Sequence, residues 1–263
     1  MQKTNDFPLS VESWWGWLEI IETSLEGCTI YSASIQQHDP TGIHFVERDE
    51  YERFAVQKRK DEHLSARKLL GDALVAEGYH HLDDLVIVRD NYRAPHLRYL
   101  QGIWKNDPLP SISISHSGGR CFVAIGPSHL SIGVDGEPFE RTIPESVFDM
   151  MASGEELESL RMHPHEAHAV WTAKEAVQKA MGLGMHLNPR KIKIYIGEIK
   201  AEISIEKSKI QLEYLSKFGY QITLAWKDKL SDLVTEEDAL IEATREAMIG
   251  QDWTVGCAQS RQP

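Results

Sequence analysis

Cysteine is scarce in this sequence of 263 residues. Its three cysteines, Cys28, Cys121 and Cys257, are odd in number and widely spaced, and no C-x-x-C pair occurs. This pattern indicates neither a disulfide framework nor a cysteine-based zinc site, and it favours a reducing compartment. We therefore predict a cytoplasmic protein.

Long apolar runs and an excess of positive charge are also missing. No stretch reaches the roughly 18 apolar residues that a membrane helix needs, and no basic segment followed by an apolar run opens the sequence. The net charge is −12, from 40 acidic and 28 basic side chains. Because broad binding to a nucleic acid backbone requires a basic footprint, we expect neither a nucleic acid nor a membrane as partner. A small basic pocket for one phosphorylated ligand remains compatible with this charge. We expect a monomer.

What is present is the composition of a globular protein, 41% hydrophobic and 26% charged, with helical and strand patterns along the chain. Strand patterns occur at 28–35, 84–90, 111–115, 121–126, 129–135, 191–196, 201–206, 209–215 and 220–226. Helical periodicity occurs at 49–77, 144–161, 165–182 and 235–249. Because these elements do not alternate strictly as βαβα, we predict the α+β class. The predicted divisions are an N-terminal half, a C-terminal half and a terminal helix with tail, at 1–127, 128–235 and 236–263.

Two acids follow a β-rich run in "SIGVDGEPFE". Asp135 and Glu137 are separated by Gly136. Residues i and i+2 of a strand point to the same side, so the strand end presents two carboxylates to one point, with the glycine leaving space between them. Hard oxygen ligands of this kind suit Mg²⁺ held between protein and phosphates. A plain turn of acids and glycine is the competing interpretation.

A polar loop follows the strand in "SISISHSGGR". Its glycines allow backbone N–H groups to face an anion, and His116 adds a side-chain donor. A nucleophilic Ser115 activated by His116 is disfavoured, because adjacent residues of a strand face opposite ways and no G-x-S-x-G elbow occurs.

The helix at 165–182 places charged residues away from an apolar stripe. At 100° per residue, the stripe contains Val170, Ala173, Val177, Ala180 and Met181. The far side carries Glu175 and Lys179 with Trp171 and Gln178 beside them, and Lys174 lies at the stripe's edge. That far surface faces either water or a ligand.

Together these motifs resemble the signature of the 4′-phosphopantetheinyl transferases, most closely the longer, Sfp-type members. The resemblance rests on I-G-V-D-x-E, then about forty residues, then W-T-A-K-E-A-x-x-K-A-x-G-x-G, with "ISHSG" upstream. Two further segments, "ARKLLGDALVAE" and "LVIVRDNYRAPHL", are similar to the family's arginine-bearing helix and its R-x-x-x-G-K-P-x-L segment. The family's G-K-P reads Arg93-Ala94-Pro95 here.

The resemblance implies an enzyme that transfers phosphopantetheine from coenzyme A to a serine of an apo acyl or peptidyl carrier protein, releasing adenosine 3′,5′-bisphosphate. It implies two similar α/β halves, in a pseudo-dimeric fold, with coenzyme A in the cleft between them. Asp135, Glu137 and Glu175 match the family's magnesium ligands, and Glu175, Lys179 and His116 would carry the chemistry. The implied contacts to coenzyme A are Lys58, Arg67, Arg89, Arg93, Ser115, His116, Asp135 and Lys179.

Three alternatives remain. An inactive relative of the same fold would bind coenzyme A or dock a carrier protein without transfer. An acidic scaffold would carry the motifs by coincidence. A magnesium-dependent pyrophosphate hydrolase would need a water path and would leave the W-x-x-K-E-x-x-x-K pattern without a role.

Overall fold

The computed structural model describes residues 16–103, 107–194, 200–203 and 209–229. A first sheet has the order β1-β2-β6-β5, and all of its neighbouring strands are antiparallel. Its strands are β1 (Leu18–Glu22), β2 (Thr29–Ser34), β5 (Ser111–Ser117) and β6 (Arg120–Gly126). The apolar side chains of helix α2 (Gln57–Ala76), among them Leu69, Leu70 and Leu74, cover one face of this sheet and form a core with Val123.

The single helix predicted over 49–77 is two helices. Helix α1 (Arg48–Arg53) ends at Phe54, whose ψ of 114° is extended, and Val56 before α2 is extended as well. A separate antiparallel ribbon pairs β3 (Leu85–Arg89) with β4 (Pro95–Tyr99). The strands β1 and β4 were not predicted, whereas a strand at 84–90 was.

A second sheet has the order β7-β11-β10-β9-β8. Its strands are β7 (Leu130–Pro138), β8 (Ile192–Ile194), β9 (Lys200–Ile203), β10 (Lys209–Lys217) and β11 (Tyr220–Asp228). The helical pattern at 144–161 is divided between α3 (Glu145–Met151) and α4 (Glu155–Met162), and α5 spans Ala167–Ala180. Three-residue 3₁₀ turns occur at Leu82–Asp84, Pro164–Glu166, Gly184–His186 and Pro189–Lys191.

A core cluster joins the two sheets. Phe122 of β6 packs with Val134 of β7 and with Ile222 and Leu224 of β11, all of them fully buried. Strands β5 and β7 lie side by side at this junction, where the Val134 N–H donates to Ser113 Oγ at 2.9 Å.

The structure is thus a mixture of helices and several sheets, whereas the pseudo-dimeric relation of two halves stays a prediction. The described residues up to Lys227 form one compact unit. The divisions after 127 and 235 also stay predictions, and the helix expected at 235–249 lies outside the described residues. Among the described helices, none combines the length and the apolar character needed to cross a membrane.

Helix α5 buries more of its surface than its pattern predicted. Val170, Ala173, Val177 and Ala180 are buried as expected. Lys174, predicted at the stripe's edge, is 1% exposed. Its ammonium lies 2.8 Å from Glu156 Oε1 of α4 and donates to two backbone carbonyl oxygens. The prediction for Lys174 was wrong because partners on α4 and near β8, distant in sequence, supply the acceptors that a buried ammonium needs.

Candidate active site

Two hydroxyls and two carboxylates face each other where β5 runs beside β7. Ser115 Oγ donates to Asp135 Oδ1 at 2.6 Å, and Ser117 Oγ donates to Glu137 Oε2 at 2.6 Å. Both pairs follow the two-residue alternation of a strand, so the acids share one side of β7 as predicted. Both residues are buried, with exposed fractions of 4% for Asp135 and 9% for Glu137.

The role predicted for Gly136 was wrong. The strand does not end at Asp135 but continues through Gly136 and Glu137 to Pro138. A Cβ on Gly136 would lie 2.6 Å from the ring of Phe122. The glycine therefore admits an aromatic ring on the opposite face of β7 rather than leaving space between the carboxylates.

Helix α5 crosses β7 in direct backbone contact. A Cβ on Gly133 would lie only 2.0 Å from the carbonyl oxygen of Ala176. This close approach lets Lys179 Nζ donate to the Val134 carbonyl oxygen at 2.9 Å and to Asp135 Oδ1 at 2.8 Å. The structure therefore brings Lys179 of the helix to an acid of the strand.

Glu175, one turn before Lys179, lies among the same charges. Burial raises its pKa, the negative charges of Asp135 and Glu137 raise it further, and Lys179 partly opposes them, so the pKa is about 7. The chain thus places a carboxyl that can accept a proton near neutral pH beside two acids.

In the presence of a chelator, Glu175→Gln is expected to raise the melting temperature at pH 8 and to leave it nearly unchanged at pH 4. The folded-state pKa of about 7 lies above the ordinary 4.5. The folded protein therefore retains this proton longer than the unfolded chain, and stability falls as the pH rises between the two values. Glutamine carries no charge and removes that loss. Thermal unfolding from pH 4 to 8 checks it, with the exposed Glu158→Gln as the matched control. A gain that is largest at low pH would contradict the raised pKa.

One oxygen at the centre of this group has no donor. Asp135 Oδ2 is buried, and no N–H or O–H of the described residues donates to it. A buried carboxylate oxygen in this state requires a proton or a cation nearby. Oxygen ligands from Asp135, Glu137 and Glu175 suit a hard divalent cation. The residues therefore fit Mg²⁺.

The three acids form an open group rather than a closed cage. Among the described residues, Glu47, Glu50 and His63 have potential ligand atoms that all lie within 4.8 Å of one another, and Asp135, Glu137 and Glu175 are not such a set. Like charges repel, and Glu137 Oε2 lies 3.2 Å from Arg141 Nη1, which offsets part of its negative charge. An open arrangement leaves coordination positions for phosphate oxygens and water.

His116 lies on the other face of β5 from Ser115 and Ser117, towards α2. Its Nδ1 is 3.7 Å from Glu62 Oε2. Burial lowers its pKa, Glu62 raises it, and the charges of Lys179, Arg59 and Arg67 lower it again. The imidazole is therefore on the side of α2, whereas the side chains of Ser115 and Ser117 pair with Asp135 and Glu137 of β7.

The predicted arginines gather around carboxylates that the sequence analysis did not single out. Glu47 accepts hydrogen bonds from Arg67 and Arg89, and Glu50 accepts from Arg89 and Arg93. Although burial disfavours the charge of Glu47, the hydrogen bonds and charges of the two arginines lower its pKa to about 2. No motif marks these acids, which stand in the charged run "ERDEYER".

Lys58 stands apart from this group. Its side chain is 78% exposed and lies 3.9 Å from Glu62.

Arg93 stands where the segment of the resembling family has glycine. Its φ of 69° is a conformation that glycine adopts readily, so the arginine keeps a backbone shape that glycine would allow. Asp90 Oδ1 stabilises the turn by accepting from the backbone N–H groups of Tyr92 and Ala94, each at 2.9 Å.

Residues 131–225 match the family model of the 4′-phosphopantetheinyl transferase superfamily. The match begins in β7 and ends in β11, so it contains both acids of β7 and the whole of α5. It does not extend to β5 or to the arginine group. No curated protein matches the chain.

Proposed function

We propose that the protein is an Sfp-type 4′-phosphopantetheinyl transferase that acts as a cytoplasmic monomer. It transfers the 4′-phosphopantetheine group of coenzyme A to a serine of an apo acyl or peptidyl carrier protein. The observation that carries the proposal is the meeting of Asp135, Glu175 and Lys179 where α5 crosses β7. The superfamily match over this region supports phosphopantetheine transfer in general.

In the proposed reaction, the serine oxygen of the carrier forms a bond to the phosphorus that bears pantetheine. The bond from that phosphorus to the bridging oxygen breaks, and the bisphosphate of adenosine leaves with the electron pair. Asp135, Glu137 and Glu175 would hold Mg²⁺, which would neutralise charge on the pyrophosphate.

Glu175 is the proposed proton acceptor for the serine hydroxyl. Without metal its pKa is about 7, and a bound Mg²⁺ would lower that pKa, so the proposed role follows from the position of Glu175 beside Asp135 and Lys179. Lys179 Nζ, fixed by the Val134 carbonyl oxygen and Asp135, is the proposed donor to the phosphates during bond breaking. His116 would add a donor from the side of α2.

The proposed contacts to the nucleotide are Arg67, Arg89, Arg93, Lys58 and Ser115. Three of these are the arginines of one group, which supports a single anion-binding region beside α2. Arg67 is almost fully buried, whereas Arg93 is 70% exposed. The group therefore combines a buried, immobile arginine with one that a ligand can reach from solvent.

The proposal is tested by incubating the full chain with coenzyme A, Mg²⁺ and a panel of apo carrier proteins. Intact mass is measured, and a gain equal to phosphopantetheine on one carrier supports transfer. The inactive relative of the same fold predicts coenzyme A binding without that gain. Cleavage of coenzyme A to phosphopantetheine and adenosine 3′,5′-bisphosphate, with the carrier mass unchanged, would favour the hydrolase.

Glu175→Gln is expected to lower kcat by about 10² or more, even at saturating Mg²⁺, because glutamine cannot accept the serine proton. If Glu175 served only as a ligand, raised Mg²⁺ would restore much of the rate, since Asp135 and Glu137 remain. Initial rates over a Mg²⁺ series separate these two roles. The exposed Glu158→Gln is the matched control and should retain the full rate. Near-normal turnover of Glu175→Gln at ordinary Mg²⁺ would remove this residue from the mechanism.

A further inference from the structure

The arginine cluster, defined as Arg67, Arg89 and Arg93 with Glu47 and Glu50, has two layers. In the inner layer Glu47 uses both carboxylate oxygens. Arg89 Nε donates to Oε1 at 2.6 Å, and Arg67 and Arg89 both donate to Oε2. The Arg67 side chain is 6% exposed. Removing Glu47 would leave two arginines without their shared partner, so this layer is a permanent part of the fold.

The outer layer is built differently. Glu50 Oε2 accepts from Arg89 Nη2 at 3.0 Å, and Glu50 Oε1 accepts from Arg93 Nη2 at 3.2 Å. Arg93 is the exposed arginine of the cluster, and its pair with Glu50 has a single hydrogen bond. Pairs of this kind contribute little and exchange readily with other partners. Glu50 lies on the six-residue helix α1 rather than on the long helix beneath it.

The charge of the cluster favours an anion over a cation. Three guanidinium groups face two carboxylates, which leaves one positive charge. Glu47, Glu50 and His63 have ligand atoms at metal-binding separations. A dication there would meet guanidinium groups that already contact both carboxylates. A phosphate carries about −1.5 to −2 charges and offers three oxygens to an arginine pair, against the single charge of a carboxylate.

The cluster contains three of the proposed nucleotide contacts, and a ring nitrogen of His63 lies within 4.8 Å of carboxylate oxygens of Glu47 and Glu50. The charges of Arg67, Glu47 and Arg89 all act on His63 of α2, and His116 acts on the same ring. One region beside α2 thus connects the arginines to the histidine of β5.

We infer that Glu50 occupies the position of a phosphate, holding Arg89 and Arg93 ready until a phosphate of the donor nucleotide displaces it. Glu50 is then a residue that sets donor affinity, and its carboxylate competes with the ligand. The identity of the ligand in this inference rests on the proposed function. The exchange, meaning the displacement of Glu50 from Arg89 and Arg93, requires only an anion.

The test is calorimetric titration of the full chain with adenosine 3′,5′-bisphosphate, in a chelator so that no metal contributes. Glu50→Gln removes the competing charge and is expected to tighten binding by about 3- to 10-fold, the effect of releasing Arg89 and Arg93 from their partly exposed ion pairs with Glu50. Uncharged adenosine should bind Glu50→Gln and the unmodified protein alike. Glu52→Gln, an exposed change of the same charge on α1, is the matched control and should leave the affinity unchanged.

A second variant keeps the inference falsifiable. Arg93 is exposed, so Arg93→Gln should fold normally, weaken bisphosphate binding and cancel the gain of Glu50→Gln in the double variant. Unchanged or weaker binding by Glu50→Gln, or an equal gain from Glu52→Gln, would overturn the exchange. So would a wild-type chain that does not bind the bisphosphate.

The experiments distinguish a failure of this inference from a failure of the proposed function. Carrier modification by the wild-type chain without a gain in Glu50→Gln would refute only the exchange. A gain in affinity without carrier modification would leave an anion site and refute the transferase.

Discussion

Replacing Asp135 by asparagine is expected to lower the rate of phosphopantetheine transfer by about 10³-fold or more, equivalent to about 4 kcal/mol of transition-state stabilisation. Asp135 is the point where the site's interactions meet. It accepts from Ser115 and Lys179, it lies beside Glu175, and its Oδ2 is the buried oxygen without a donor. Asparagine retains the size but loses the charge, and it places either an amide or a neutral oxygen where a cation would be held.

The fold of Asp135→Asn should survive. Lys179 is 28% exposed and can reach water, and the loss of one negative charge relieves the crowding around Glu175. Thermal unfolding in chelator should therefore show an unchanged or higher melting temperature, while the mass assay shows little modified carrier. Asp149→Asn, which breaks an exposed pair with Arg161, is the control and should retain the full rate. Turnover of Asp135→Asn within a few-fold of normal would reject the metal site on β7.

Lys174→Met is expected to destabilise the protein by about 3–5 kcal/mol, the usual result of removing one partner of a buried ion pair. Its ammonium lies 2.8 Å from Glu156 Oε1 and donates to the carbonyl oxygens of Pro189 and Ile192 at 3.1 and 2.6 Å. Methionine fills similar space but leaves the Glu156 charge and two carbonyl oxygens without this partner. Urea unfolding of the metal-free protein measures the loss as a shift in midpoint at unchanged slope.

The double variant Lys174→Met, Glu156→Gln separates charge from packing. Glutamine retains an oxygen for the Ile194 N–H, which donates to Glu156 Oε1 at 3.0 Å, and it removes the stranded charge. Much of the lost stability should return. Lys179→Met is the second comparison, because a partly exposed lysine should cost less stability and more transfer rate. Equal stability losses for Lys174→Met and Lys179→Met would contradict the larger contribution expected of the buried lysine, Lys174.

Local patterns predicted the parts of the site that depend on local geometry. The two-residue alternation of a strand was enough to place Asp135 and Glu137 on one side of β7, and the helical period placed Glu175 and Lys179 on the surface opposite the main stripe. The hydrogen bond from Ser115 to Asp135 could not be read from either strand alone. That contact depends on β5 and β7 lying side by side, which the sequence of neither strand indicates.

The parts that were missed depend on distant partners. Lys174 has the pattern of an edge residue, and its burial is decided by Glu156 on α4 and by two carbonyl oxygens 15 and 18 residues away. Glu47 and Glu50 have the pattern of a solvated charged run, and the arginines that pair with them come from α2, from the end of β3 and from the turn before β4. Buried ion pairs join segments that are separate in the sequence, so composition and period carry no signal for them.

Gly133 limits how this site can change in evolution. The smallest possible step, one methyl group, would enter a space whose nearest atom is 2.0 Å away and belongs to the helix backbone, which cannot rotate aside. The separation of α5 from β7 therefore cannot drift gradually under mutation at this position. Homologous sequences with altered ligand specificity would therefore differ in the peripheral segments, such as α1 and the turn at Arg93. The contact between α5 and β7 would stay the same.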